Sequence, residues 1–202
     1  MLRTRPVNDR KLRYSFSFII LLIFYQGCGI FDTRDPQDPE TLRSTYFPPT
    51  SADLVIDNLS YSIQEKNSNN YNRCISSENY QYIPDSRSQQ QYVEIFKSWD
   101  IQAEKHYLDN LISRQEGGNS SAVLFLDNER LTQLSSDSAR YQADYIFVFQ
   151  HNQANVPKSS KGRMSLILAT DSDALFYIRK WEDFRQNDTD FTWSEFKANF
   201  SN

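Results

Sequence analysis

The chain has 202 residues, 22 basic and 26 acidic, for a net charge of −4. Residues 28–202 alone carry −8, a sign that excludes a nucleic-acid footprint and gives no electrostatic pull toward anionic lipid. Twelve Tyr and fourteen Phe supply a core despite only 39% apolar residues, which excludes a disordered acidic tail.

The chain opens with a basic arm (Arg3, Arg5, Arg10, Lys11, Arg13), followed by the apolar run Phe16–Tyr25 and Gly27-Cys28. A run of about ten apolar residues is too short to span a bilayer, which takes about 20, and has the length of a cleaved signal. Residues 1–27 therefore read as a signal peptide. Tyr25-Gln26-Gly27-Cys28 resembles the bacterial lipobox, with Cys28 as the acylated first residue of the mature chain. Tyr25 and Gln26 depart from the commoner Leu and small residue. The resemblance implies a membrane-lipid partner held through acylated Cys28, because two or three chains anchor stably where one does not. With Gly29 rather than Asp after the cysteine, it further implies a bacterial envelope location, at the outer membrane and facing the periplasm. Cys74 is the second of only two cysteines. It reads as a small buried hydrophobe if Cys28 is acylated, and as a disulfide partner if it is not.

Residues 28–49 read as the lipidated Cys and a Pro-rich tether, holding four of the seven prolines. Residues 50–202 read as one α+β domain. Ala52, Val55, Ile56, Leu59 and Ile63 form one stripe of a helix over Asp53–Lys66. A short helix follows over Asn69–Ser76, then an extended piece at Tyr80–Pro84. Gln89–Trp99 reads as one helix, and Asp100 caps the next, Ile101–Ser113. Gly117-Gly118-Asn119 ends the helical half. Ala122–Leu126 is a continuous apolar run, read as a strand covered on both faces. From Ala139 to Phe149 apolar and polar residues alternate, the period of a strand. Arg163–Thr170 and Ala174–Phe184 form a hairpin, with a bulge near Arg179-Lys180 needed to turn Trp181 inward. Thr192 opens a short last helix carrying Phe196 and Phe200.

Helices first and long antiparallel strands after them is an α+β order. Asp53–Lys66, Asn69–Ser76, Trp99–Ser113 and the aromatic hairpin Gly162–Phe184 resemble the nuclear transport factor 2-like superfamily, which includes ketosteroid isomerase and scytalone dehydratase. The likeness is nearest to uncharacterised bacterial lipoproteins with this domain. It implies N-terminal helices packed on a curved antiparallel sheet, a cone around an apolar pocket. It does not give function.

No catalytic set is legible, and no cofactor or metal is expected. His106 falls mid-helix and His151 at a strand end. Asp100 reads as a cap and Asp144 as solvated. Asp171-Ser-Asp173 and Asp188-Thr-Asp190 lack the length and glycine of a calcium loop and read as turns. Tyr141, Tyr145, Phe149, His151 and Trp181 are the candidate pocket lining. The leading expectation is a non-catalytic domain that binds an apolar ligand or an envelope protein. The alternatives are a small isomerase, dehydratase or hydrolase using a carboxylate or His151, and a homodimerising structural module.

Overall fold

The computed structural model describes residues 44–117 and 122–201. The segments expected to be a signal peptide (1–27) and, up to residue 43, a lipidated tether lie outside the described residues, as do Cys28 and Gly118-Asn119.

Helix α1 (Ala52–Gln64) buries Ala52, Val55, Ile56, Leu59 and Ile63, the stripe its spacing requires. It stops where Lys66 turns into the left-handed region at φ 53° and Asn67 caps α2 (Ser68–Arg73) by accepting from the Asn70 amide. Tyr71, Cys74 and Ile75 point inward. Strand β1 (Gln81–Ile83) follows. Gln89–Trp99 is not one helix. Asp85 caps α3 (Ser86–Gln91), and Tyr92, at φ −120° and ψ 42°, breaks the path before α4 (Val93–Phe96). Asp100 accepts from the amides of Gln102 and Ala103 at 2.9 Å each and opens α5 (Ile101–Ser113), as its position predicts.

Four long strands complete a five-stranded sheet: β2 (Ala122–Ser135), β3 (Ser138–Phe149), β4 (Ser159–Thr170) and β5 (Phe176–Phe184). Their order is β1-β5-β4-β3-β2. Every pairing is antiparallel except β1 with β5, so the sheet is mixed rather than wholly antiparallel. The apolar run at Ala122–Leu126 is not covered on both faces. It begins an edge strand in which Ala122 is buried while Phe125 is 57% exposed. A bulge at Asn128, with φ 52°, lets β2 run on to Ser135. In β5 the register slips between Ile167–Lys180 and Leu168–Ile178, leaving Arg179 as the extra residue. That bulge puts both Ile178 and Trp181 in the core, each fully buried.

Helix α6 (Trp193–Asn199) ends the fold. The Thr192 amide donates to the Glu195 carboxylate at 2.9 Å, one arm of a capping box. The apolar residues Trp193, Phe196 and Phe200 lie at i, i+3 and i+7, and all are fully buried. Residues 44–49 also dock on the domain. The Asn58 side chain accepts from the Phe47 amide at 2.8 Å and donates to its carbonyl at 2.7 Å. The Pro49 carbonyl accepts from the Phe176 amide.

Candidate functional site

The concave face of the sheet carries Tyr145, Phe147 and Phe149 of β3, then His151, with Trp181 of β5 across from them. Helix α6 lies in this concavity. Trp193 stacks on Phe147 at 4.6 Å between ring centroids and meets Trp181 edge-on at 4.7 Å. Phe196 packs on Phe147 at 5.3 Å. His151 is 1% exposed and sits edge-on to Phe196 and Phe200. Aromatic groups in these offset and edge-on arrangements each contribute roughly 0.5–1.5 kcal/mol beyond area burial.

Among the buried carboxylates, two lie beside tyrosine hydroxyls in this interior. Asp183 of β5 accepts from the Tyr145 hydroxyl at 2.7 Å, the Ser194 amide at 2.7 Å and the Ser194 hydroxyl at 2.6 Å. Burial lifts its carboxyl above the ordinary range, although these hydrogen bonds oppose the rise. Ser194 Oγ is saturated in turn, since it also engages the Tyr82 hydroxyl at 2.8 Å and the Asp85 amide at 3.0 Å. The second carboxylate is Glu104 of α5. It accepts from Tyr71 at 2.6 Å, Tyr80 at 2.9 Å and Trp99 Nε1 at 2.7 Å. Lys197 of α6 bridges both of its oxygens at 2.5 and 2.7 Å, and neither side chain has any exposure. Burial pushes the Lys197 ammonium down to about 8, against the pull of Glu104.

The fold is similar to those of several solved structures. A nuclear transport factor 2-like protein of unknown function in nutrient uptake, from Rhodospirillum rubrum, aligns at TM-score 0.51 and 6% identity, over 68% of this chain and 99% of that one. A Novosphingobium aromaticivorans protein provisionally named a scytalone dehydratase aligns at TM-score 0.51 and 11% identity, over 65% and 78%. A second protein from that organism, provisionally named an aromatic ring hydroxylase, aligns at TM-score 0.52 and 6% identity, over 73% and 96%. The domain has the nuclear transport factor 2-like fold. No known family pattern and no curated protein matches the sequence.

Within this nuclear transport factor 2-like cone, three of the five candidate lining residues meet α6 and the Phe200 that follows it: Tyr145, His151 and Trp181. Phe149 is buried beside them, edge-on to Phe147. Tyr141 shares their face of β3 but lies near its start, where its hydroxyl donates to Glu129 at 2.6 Å. The space these residues surround is filled by Trp193, Phe196 and Phe200. His151 has both ring nitrogens engaged. Nδ1 accepts from the Gln153 amide at 3.2 Å, so the proton sits on Nε2 and is donated to the Pro157 carbonyl at 3.1 Å. His106 is exposed on α5. Asp144 holds Arg163 at 2.7 Å on the outer face. Asp171 closes a turn by accepting from the Asp173 and Leu175 amides, and Asp190 accepts from the Asn187 amide. Among the described residues, no cluster of three His, Cys, Asp or Glu side chains could hold a metal.

Glu104, Lys197 and Asp183 were not among the residues expected to line the interior. A signal existed for two of them. Glu104 is in phase with Tyr107, Leu108 and Leu111, and Lys197 with Trp193 and Phe200. A charge on the apolar face of an amphipathic helix marks a buried partner.

A separate groove of about 900 Å³ opens at the surface between residues 46–49, the α2–β1 connection and the β4–β5 hairpin. Tyr46, Pro48, Pro49, Arg73, Tyr177 and Arg179 line it. The Arg73 guanidinium lies 3.5 Å over the Tyr46 ring.

Proposed function

We propose that the chain is a bacterial envelope lipoprotein. It is anchored through acylated Cys28 at the outer membrane, and its nuclear transport factor 2-like domain is a non-catalytic binding module facing the periplasm. The observation that carries the non-catalytic reading is the filled cone. A buried carboxylate beside a tyrosine is what a pocket enzyme of this kind would use. Asp183 beside Tyr145 and Glu104 beside Tyr71 have that form. Each is saturated by fixed donors, and α6 occupies the space where a substrate would sit. Binding then falls to the outer surface. The groove lined by Tyr46, Pro48, Pro49 and Tyr177 offers aromatic and proline walls with Arg73 and Arg179 at its margin. It suits an apolar ligand or an extended segment of an envelope protein.

The anchor is tested by Cys28→Ser. The wild type should fractionate with membranes and carry acyl mass, and the variant should do neither; identical behaviour of the two would reject the anchor. The groove is tested by placing a photo-crosslinking residue at Tyr177 and identifying adducts in the envelope. One recurrent adduct, lost in Arg179→Glu, supports the reading, and no adduct above that of an exposed control site such as His106 rejects it.

A second reading, a homodimerising module, draws on the outer sheet face. Phe125 and Ile146 pair there across β2 and β3, 57% and 48% exposed. A dimer by sedimentation that dissociates in Phe125→Lys supports it; a monomer at high concentration removes it.

A further inference from the structure

Lys197 Nζ is held in more than an ion pair. It lies 3.8 Å from the centroid of the Tyr82 ring and 4.4 Å from that of Trp181, with Tyr107 at 5.7 Å and Trp99 at 5.8 Å. Four aromatic rings from three separate parts of the chain (β1, β5, and α5 with the residue before its cap) thus surround one ammonium, and the Glu104 carboxylate closes the remaining side at 2.5 and 2.7 Å. Rings within about 6 Å attract a cation through their quadrupoles, most strongly when water is excluded. The carboxylate is itself fixed by Tyr71, Tyr80 and Trp99, so its position does not depend on Lys197 alone. Two of the four cage rings are set apart from α6: Trp181 lies on β5, and Trp99 Nε1 donates to Glu104 at 2.7 Å. The Tyr82 and Tyr107 hydroxyls are held by Ser194 and Trp193 of α6, at 2.8 and 2.9 Å, through atoms other than the ammonium, so the cage persists without Lys197 as long as that helix stays docked.

We propose that the interior of the cone is a preformed binding site for a primary alkylammonium ion, and that Lys197 of α6 is its built-in occupant. The helix acts as an intramolecular ligand: three aromatic groups, Trp193, Phe196 and Phe200, fill the apolar part, and one ammonium fills the cage. The inference is independent of the anchor and of the outer groove, because it concerns only the interior. The ligand class follows from the contacts. Glu104 takes two N–H donors and the rings take the charge, so the group must be a small ammonium on an unbranched stem. A planar guanidinium is too wide, and a quaternary ammonium has no N–H to give.

The test is chemical complementation of the full-length Lys197→Ala variant. That change removes the stem beyond Cβ and leaves room for n-propylammonium. The variant should be destabilised, and n-propylammonium at ten times its Kd should raise Tm by about 3–6 °C. The neutral isostere 1-propanol and tetramethylammonium should give less than a third of that rise. If the variant does not fold unaided, recovery of folded protein on dilution from denaturant is the readout, with the same order of ligands expected. Lys197→Met keeps the stem in place and should not respond. Glu104→Gln combined with Lys197→Ala should abolish the preference for the amine over the alcohol. Equal rescue by 1-propanol, an equal response of Lys197→Met, or no rescue by any amine would each overturn the proposal.

Discussion

The Tyr145 hydroxyl donates to Asp183 at 2.7 Å while accepting from the Trp193 backbone amide at 2.8 Å. One oxygen thereby ties the middle of β3 to the end of β5 and to the first turn of α6. The bond places the N-terminus of α6 against the sheet and sets the direction in which its aromatic face enters the cone.

Tyr145→Phe removes that oxygen and little else. It leaves a buried amide without an acceptor and one Asp183 oxygen without a donor. The loss should be about 1–3 kcal/mol in urea unfolding, with m unchanged. A loss within 0.5 kcal/mol, about the size of an ordinary surface change, would show that α6 is held by its ring contacts alone.

Gly162 faces the same tyrosine across the β3–β4 pairing. A Cβ there would lie 2.6 Å from the Phe184 carbonyl oxygen and 2.8 Å from the Tyr145 hydroxyl. The first contact is backbone and cannot swing away. Gly162→Ala should therefore destabilise by about 1–3 kcal/mol despite alanine's better strand entropy. Combined with Tyr145→Phe, the loss should be less than the sum, because the crowded hydroxyl is gone.

Acid stability should turn on Asp85. Burial alone would raise its carboxyl, but hydrogen bonds from Ser88 and Thr192, with the Arg185 guanidinium, bring it below 3.8. The folded state then binds fewer protons than the unfolded one. Asp85 accordingly contributes fully above about pH 4, and the contribution is lost as pH falls through its folded value. Asp183 has the opposite sign: its raised carboxyl is a cost relieved by protonation. Between pH 4 and 2, Tm should fall less steeply in Asp85→Asn than in the wild type, from a lower starting value at pH 7. Parallel slopes would remove Asp85 from the acid transition.

Cys74 is 1% exposed, its thiol donates to the Asn70 carbonyl at 3.3 Å, and burial pushes it up to about 12. At pH 8 about one thiol in ten thousand is then ionised. In a Cys28→Ser background, Cys74 should resist a disulfide reagent for hours in buffer and react at once in guanidinium. Prompt reaction in buffer would mean that the C-terminal end of α2 opens on that timescale.

Much of the architecture was legible in sequence, for local reasons. The alternation from Ala139 to Phe149 dictates a half-buried strand. The phase error at Trp181 demands a bulge, which falls at Arg179. Asp100 and Thr192 mark helix starts because first-turn amides need acceptors. The break at Tyr92 was not legible, since the spacing of Tyr92, Ile95, Phe96 and Trp99 fits a single helix. Nor was the edge position of β2, because a continuous apolar run says that side chains are available for burial, not that two layers will cover them.

The sequence by itself determined the order of elements, the face each presents and the aromatic stock of the core. Only the tertiary structure decided what fills the cone. Lys197 and Glu104 are 93 residues apart, and Tyr145 and Trp193 are 48. Helical spacing shows that Lys197 shares a face with Trp193 and Phe200, and Glu104 with Leu108. It does not show which buried face meets which. That choice depends on how α6 returns across the sheet, where a desolvated ammonium is tolerable only against a carboxylate whose every other lone pair is already taken.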